Sequence, residues 1–426
     1  MTELRVYPGS VRGQCRAPAS KSYTHRALIA GFLARRAYRV RNPLHSDDTR
    51  RTREGLRRLG VRIRRAGEDW ELRPGRSPGS PRTVTIPCGA SGTTLRLLAG
   101  VAALERRSVR FTGARELARR PFRPLVESLA AGGVTARLPR GSLGLPTTIR
   151  GPLHPATFPV EIGVSSQFLS SLLLVLPTLP EASSIATLGD PVSRPYVDAT
   201  LEVLRAHRIR VQERSGGFRV PGNQTYIGAG FDVPGDASSA AYLWAAAALT
   251  GGRVKVTGIP ARWPQADFEI LRVLSDAGAQ IRRTPTETTL EGPLSHGFDH
   301  DFTNAPDLFP LCGAVAARIG GTSRLRGAPH LQFKESDRVE ETIRLCHALG
   351  ARVGRRGDVL EITGGSTAPS AGRLEFHDHR LVMAAAVAAL AGPSAVRVQD
   401  TDAVRKSYPA FWRDLRKLGA DVEVTR

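Results

Sequence analysis

Six times along the chain, a short stretch of small, hydroxyl or acidic residues runs straight into an alanine- or leucine-rich apolar segment. The stretches are "PASKSYTHRALIAGFLA", "CGASGTTLRLLAGVAAL", "GVSSQFLSSLLLVLP", "GDASSAAYLWAAAAL", "NAPDLFPLCGAVAA" and "FHDHRLVMAAAVAAL". Aligning Ser20, Ser91, Ser165, Ser238, Asp307 and Asp378 gives spacings of 71, 74, 73, 69 and 71 residues. A second series keeps the same beat: "LRRLGVRIRR", "VESLAAGGVTARL", "LEVLRAHRIRVQE", "LRVLSDAGAQIRR", "IRLCHALGARVGR" and "LRKLGADVEVT". Each reads as an amphipathic helix, mostly ended by glycine, followed by the apolar–polar alternation of a half-buried strand. The pattern therefore predicts six units, each with one buried helix, one surface helix and several short strands. Because each buried helix starts with small and hydroxyl-bearing residues, its free N–H groups can be approached closely by an anion. For any single copy, ordinary N-capping is the better reading.

At 426 residues the chain is long enough for two domains or one repetitive architecture. The opening "MTELRVYPGSVRGQ" has no apolar stretch of signal-peptide type, and "AAYLWAAAAL" and "LVMAAAVAALAG" are too short to span a bilayer. Cys15, Cys88, Cys312 and Cys346 are scattered with no CxxC pair, which points away from a zinc site or a disulfide framework and toward a reducing cytoplasm. The formal charge of +22 raises nucleic acid as a partner. The arginines, however, are spread over the whole length, with no basic tail and no aromatic-interleaved stripe. An arginine-biased solvated surface is the simpler reading, and small anionic substrates would be drawn in regardless.

Only five of the 61 basic residues are lysine, at 21, 255, 334, 406 and 417. Lys21, Lys334 and Lys406 stand in short segments leading into helices, as do Arg26, Arg96, Arg120, Arg338 and Arg380. A lysine kept among so many arginines suits a position that needs a compact ammonium able to take part in proton movement. Lys255 reads as a strand-edge residue and Lys417 as a solvated helix residue. Two carboxylates stand among the cations, Asp307 and Glu335, on separate segments as a proton donor and acceptor would be. Taken alone, Asp307 reads as a helix cap and Glu335 as a surface charge.

In order along the chain, "SKSYTHR", "SDDT", "CGASGTTLR", "RRPF", "VSSQFLSSLL", "DPVSRPYVD", "GDASSAAY", "PDLFPL", "FKESDR", "DHRLVM" and "RKSYP" resemble the enolpyruvyl transferase family, on its phosphoshikimate-specific side. The resemblance covers essentially the whole chain. It implies an α/β (α+β) fold: a two-domain inside-out α/β barrel of six βαβαββ-type units, three per domain. One domain would be 18–234, the other 1–17 with 235–426, and the active site would lie in the cleft between them. The implied reaction moves the enolpyruvyl group of phosphoenolpyruvate (PEP) to the 5-hydroxyl of shikimate 3-phosphate.

By the same resemblance, Lys21, Ser22, Arg26, Ser165, Ser166, Gln167, Ser193, Asp307 and Lys334 bind shikimate 3-phosphate, with Tyr196 nearby. Lys21, Gly92, Arg120, Gln167, Arg338, Arg380 and Lys406 hold PEP. Asp307 is the proton acceptor and Glu335 the donor, with Lys21 a third catalytic group. No metal or organic cofactor, no specific nucleic acid and no membrane is implied, and the enzyme would be a monomer. The family often has Asn where this chain has Ala90 and His330, so both stay outside the expected site. Two rivals differ in what they require. An enolpyruvyl transferase acting on UDP-N-acetylglucosamine typically has "KN" where this chain has Lys21–Ser22, and a loop cysteine that "FTGARELARRPFRPL" lacks. An RNA-end-processing protein would need a nucleotide site, which these motifs do not supply.

Overall fold

A computed structural model describes residues 2–75, 82–139, 144–327, 329–365 and 372–424. The chain divides into two compact units, one of residues 19–233 and the other of residues 1–18 with 234–426. Thr425, at the end of the sixth repeat, lies outside the described residues.

Each unit has three buried helices that pack on one another. They are Lys21–Leu33, Gly92–Ala103 and Ser166–Val175 in one unit, and Ala237–Leu249, Phe309–Arg318 and His379–Leu390 in the other. Their composition explains the burial: along Ala237–Leu249 every residue from Ala237 to Ala248 is buried, so no polar stripe is left for water. Alanine and glycine let the helices approach closely. A Cβ on Gly100 would stand 2.7 Å from Ser171 Oγ, so glycine is required there. That hydroxyl accepts from Gly100 N and donates to the Arg96 carbonyl, tying two buried helices together.

The six amphipathic helices are Asp47–Arg58, Arg123–Ala130, Arg194–Ala206, Glu269–Asp276, Arg338–Ala348 and Phe411–Lys417. Five are followed by a glycine at positive φ (Gly60, Gly133, Gly278, Gly350 and Gly419), as the left-handed turn after a helix favours. In the third copy Arg208 takes that turn at φ 58°.

The described strands form six four-stranded sheets. In the second repeat, Thr83–Pro87 runs parallel to Ser108–Thr112, and Ser108–Thr112 pairs antiparallel with Thr147–Arg150, whose other neighbour is Thr135–Arg137. That is the βαβαββ unit. Three sheets borrow a strand from far along the chain. Gly230–Asp232 completes the first repeat, Arg12–Arg16 the fourth, and Glu3–Val6 the sixth. The inner strands bury one face and carry charge on the other, as Tyr38–Arg41 shows by alternating buried Tyr38 and Val40 with exposed Arg39 and Arg41. Lys255, expected at a strand edge, lies instead on an inner strand, Arg253–Thr257, flanked on both sides. Its side chain still faces outward and pairs with Glu287 at 3.6 Å.

Buried histidines make the fold acid-sensitive. His25 Nδ1 is 2.7 Å from the Thr52 hydroxyl, and burial pushes its pKa down to about 3. His207 donates from Nδ1 to the Val203 carbonyl at 2.6 Å and accepts from the Tyr38 hydroxyl at 2.7 Å, and burial lowers it too. Below about pH 6.5 the unfolded chain binds protons that these folded rings refuse, so stability falls as pH drops from there. Urea unfolding between pH 6.5 and 5 should show this decline. In His25→Gln the slope should be shallower; an unchanged slope would mean His25 carries none of the linkage.

Candidate functional site

In the unit of residues 19–233, the expected side chains gather where its buried helices begin. Lys21 is the first residue of its helix and pairs with Asp48 at 3.3 Å, in the first turn of the neighbouring amphipathic helix. Thr94 Oγ1 donates to the Asp48 carbonyl, which links that pair to the start of the second buried helix. Arg26 is fully buried, and every acceptor it meets is a neutral oxygen. These are Thr200 Oγ1 at 2.7 Å, Ser22 Oγ at 2.6 Å and its carbonyl at 3.0 Å, the Tyr196 carbonyl at 2.9 Å and Ser170 Oγ at 3.3 Å. Burial pushes the Arg26 pKa down to about 10. A cation held without a carboxylate in its bonding shell projects positive potential into its surroundings.

The second and third helix starts interlock. Ser165 caps its helix by accepting from Gln167 N at 3.3 Å, and Ser166 is the first helical residue. Arg96, buried, donates to Gln167 Oε1 at 3.1 Å, Ser165 Oγ at 3.4 Å and the Pro121 carbonyl at 3.0 Å. Gln167 Nε2 reaches Thr93 Oγ1. Gly92 opens the second buried helix with the Arg120 guanidinium laid against it; a Cβ there would be 2.8 Å from Arg120 Cζ. Glycine is thus needed for this arginine to take its place. Ser193 sits buried at the start of Arg194–Ala206 with φ 58°, a left-handed conformation uncommon outside glycine.

In the unit of residues 1–18 and 234–426, the expected cations and carboxylates form one cluster. Asp307 lies in the 3-10 turn Pro306–Leu308. It bridges Arg338 Nη1 at 2.7 Å and Arg380 Nη2 at 2.8 Å. Glu335 bridges Arg338 Nη2 at 3.0 Å and Lys406 Nζ at 3.3 Å. A third carboxylate, Asp378, takes Arg338 Nε at 2.8 Å. Three anions around one buried guanidinium hold Arg338 firmly in its charged form. Neither Asp307 as a simple cap nor Glu335 as a solvated charge describes this arrangement. Lys334 is half-buried in the same segment.

His330 lies four residues before Lys334, buried, with neither ring nitrogen hydrogen-bonded among the described residues. Burial and then Lys334 push its pKa down to about 4, so the ring is neutral near pH 7. Asp48, Arg96 and Asp378 were not among the expected site residues. All three stand inside the motifs quoted above, but nothing in a motif says which of its members will bond to another. Among the described residues, no three or more His, Cys, Asp or Glu side chains are placed to hold a metal ion, and no helix is long and apolar enough to cross a membrane.

This architecture matches solved structures along their whole length. EPSP synthase from Acinetobacter baumannii aligns with a TM-score of 0.82 at 24% identity, covering 100% of both chains. The enolpyruvyl transferase NikO from Streptomyces tendae aligns at 0.78 and 18%, again over 100% of both chains. The fold is therefore the inside-out α/β fold of the enolpyruvyl transferases. Residues 7–415 match the family model of EPSP synthase (3-phosphoshikimate 1-carboxyvinyltransferase). The 3-phosphoshikimate 1-carboxyvinyltransferases of Methanocorpusculum labreanum and Aeropyrum pernix are 36% and 39% identical to it. They cover 99% of this chain, over 99% and 96% of their own lengths. That of Halobacterium salinarum is 39% identical over 98% of this chain and 99% of its own. The chain belongs to the EPSP synthase family.

If Arg338 is the charge on which three carboxylates depend, removing it should leave buried anions uncompensated. Arg338→Met is expected to lower the unfolding free energy in urea by about 3–5 kcal/mol. A loss under about 1 kcal/mol, the range of a solvated surface pair, would mean that water already screens the cluster.

Proposed function

We propose that this protein transfers the enolpyruvyl group of PEP to the 5-hydroxyl of shikimate 3-phosphate, releasing phosphate through a tetrahedral addition–elimination intermediate. The observation that carries this reading is the pair Asp307 and Glu335. Two carboxylates from separate segments share one buried guanidinium, and each has a second cation of its own. A reaction that puts a proton on a methylene and later removes one from the resulting methyl needs a donor and an acceptor beside anion-binding cations.

Arg26, Lys21, Ser22, Ser165, Ser166, Gln167, Ser193, Asp307 and Lys334 would bind shikimate 3-phosphate. Arg120, Arg338, Arg380 and Lys406 would hold PEP, together with Lys21, Gln167 and the backbone at Gly92. The cations bring two mutually repelling anions into line, an orientation effect worth up to about 7–11 kcal/mol. They also stabilise charge growing on the departing phosphate.

Glu335 would protonate the PEP methylene, making C2 electrophilic for the shikimate 5-hydroxyl, whose own proton would pass by way of Lys21 to the departing phosphate. Asp307 would then accept the proton whose loss expels phosphate. An anionic ligand that draws Arg338 and Lys406 away from Glu335 leaves that carboxyl better able to hold the proton it must give. Lys21, a compact ammonium beside Asp48, suits a phosphate contact and proton relay where a guanidinium would not. Four buried free thiols fit a reducing cytoplasm, and a monomer suffices for the chemistry.

The purified protein should release phosphate from PEP only when shikimate 3-phosphate is present. Release driven instead by UDP-N-acetylglucosamine would transfer the assignment to that acceptor. Lys21→Arg should fold normally and lose roughly a hundredfold or more in kcat. Near-wild-type turnover would refute the special role of the ammonium.

A further inference from the structure

Asp378 caps the last buried helix by accepting from Arg380 N at 2.8 Å, and its side chain is fully buried. Its remaining contacts converge on the cation cluster. Arg338 reaches it from Nε at 2.8 Å and Nη2 at 3.4 Å, Ser336 from its hydroxyl at 3.4 Å, and His379 Nδ1 lies 3.2 Å away. Asp307 and Glu335 are different: their side chains keep 20% and 16% exposure. Arg338, Arg380 and Lys406 thus face three carboxylates, and the cluster is already balanced in charge. An anionic ligand that takes the Arg338 donors takes them from one of those carboxylates. Asp307 and Glu335 can turn toward water, whereas Asp378, buried and bonded to a helix N–H, cannot.

We infer that Asp378 is a positioning residue, the permanent counter-ion that fixes the Nε edge of Arg338 and seats Arg380 while the outer Arg338 donors exchange Asp307 and Glu335 for PEP. Asp378 itself does not touch the ligand. This rests on the reaction proposed above for the same cluster. Without the fixed anion, Arg338 would turn wholly toward Asp307 and Glu335. PEP would then compete with both for a guanidinium that nothing holds in place.

Asp378→Asn and Asp378→Ser both keep a helix-capping side chain and remove the charge, so both should stay folded, which circular dichroism checks. The expected effect is a rise in KM for PEP of roughly tenfold to a hundredfold, the range for losing a hydrogen bond between charged groups. The KM for shikimate 3-phosphate should not move, and kcat should fall less than KM rises. Asp378→Glu, which returns the charge, should recover part of the loss. Folded Asn and Ser variants with wild-type KM for PEP, or a Glu variant no better than Asn, would overturn the proposal. Titration calorimetry of PEP in the presence of shikimate 3-phosphate compares the same proteins without relying on turnover. Failure of wild-type turnover would therefore count against the proposed reaction, and unchanged PEP affinity in the variants against this role.

Discussion

Burying a guanidinium is the constraint around which this protein is arranged. Taking such a cation out of water costs several kcal/mol unless its donors are met, yet Arg26, Arg96, Arg120, Arg338 and Arg380 are each at most 7% exposed. All five stand at or near the start of a helix, in four of the six repeats. The apolar helices make a dry interior, and their small first-turn residues leave room for a planar cation to lie against backbone. Gly92 under Arg120 is the plainest case.

The two units meet this constraint differently, and the difference bears on function. Arg26 is satisfied by hydroxyls and carbonyls, so its charge is left unopposed at bonding distance. Arg338 and Arg380 are satisfied by carboxylates, so their cluster is neutralised from within. An anion meeting the first arrangement displaces nothing that is charged. An anion that takes the outer Arg338 donors takes the place of a carboxylate, and the displaced groups are the very ones assigned to move protons. Anion binding and acid–base chemistry are thereby coupled through one guanidinium.

Much of this was legible in the sequence because it repeats. The spacing near 71 residues located all six buried helices, and the glycines after the second series marked most of the surface helices' ends. The motifs named the cations and the two carboxylates that cluster in the second unit. Other features left no local mark. Strands donated by Glu3–Val6, Arg12–Arg16 and Gly230–Asp232 complete repeats whose other strands lie far along the chain, which no local pattern records. Lys255 looked like an edge residue because an exposed cation in a short strand reads the same on an inner strand with one solvated face. Asp378 looked like one more helix cap, and it is a cap; its bond to Arg338 depends on two helices meeting 40 residues apart. In the fourth repeat the capping residue is Asp236, two positions before the serine that the spacing aligned.

The unequal neutralisation of the two cation sets is most directly tested by calorimetry with each substrate alone, at matched concentration and low salt. Shikimate 3-phosphate should bind by itself, with an affinity that weakens as salt is added, because Arg26 meets it with no carboxylate to dislodge. PEP by itself should bind far more weakly. Equal affinities for the two ligands, or tighter binding of PEP alone, would contradict the account.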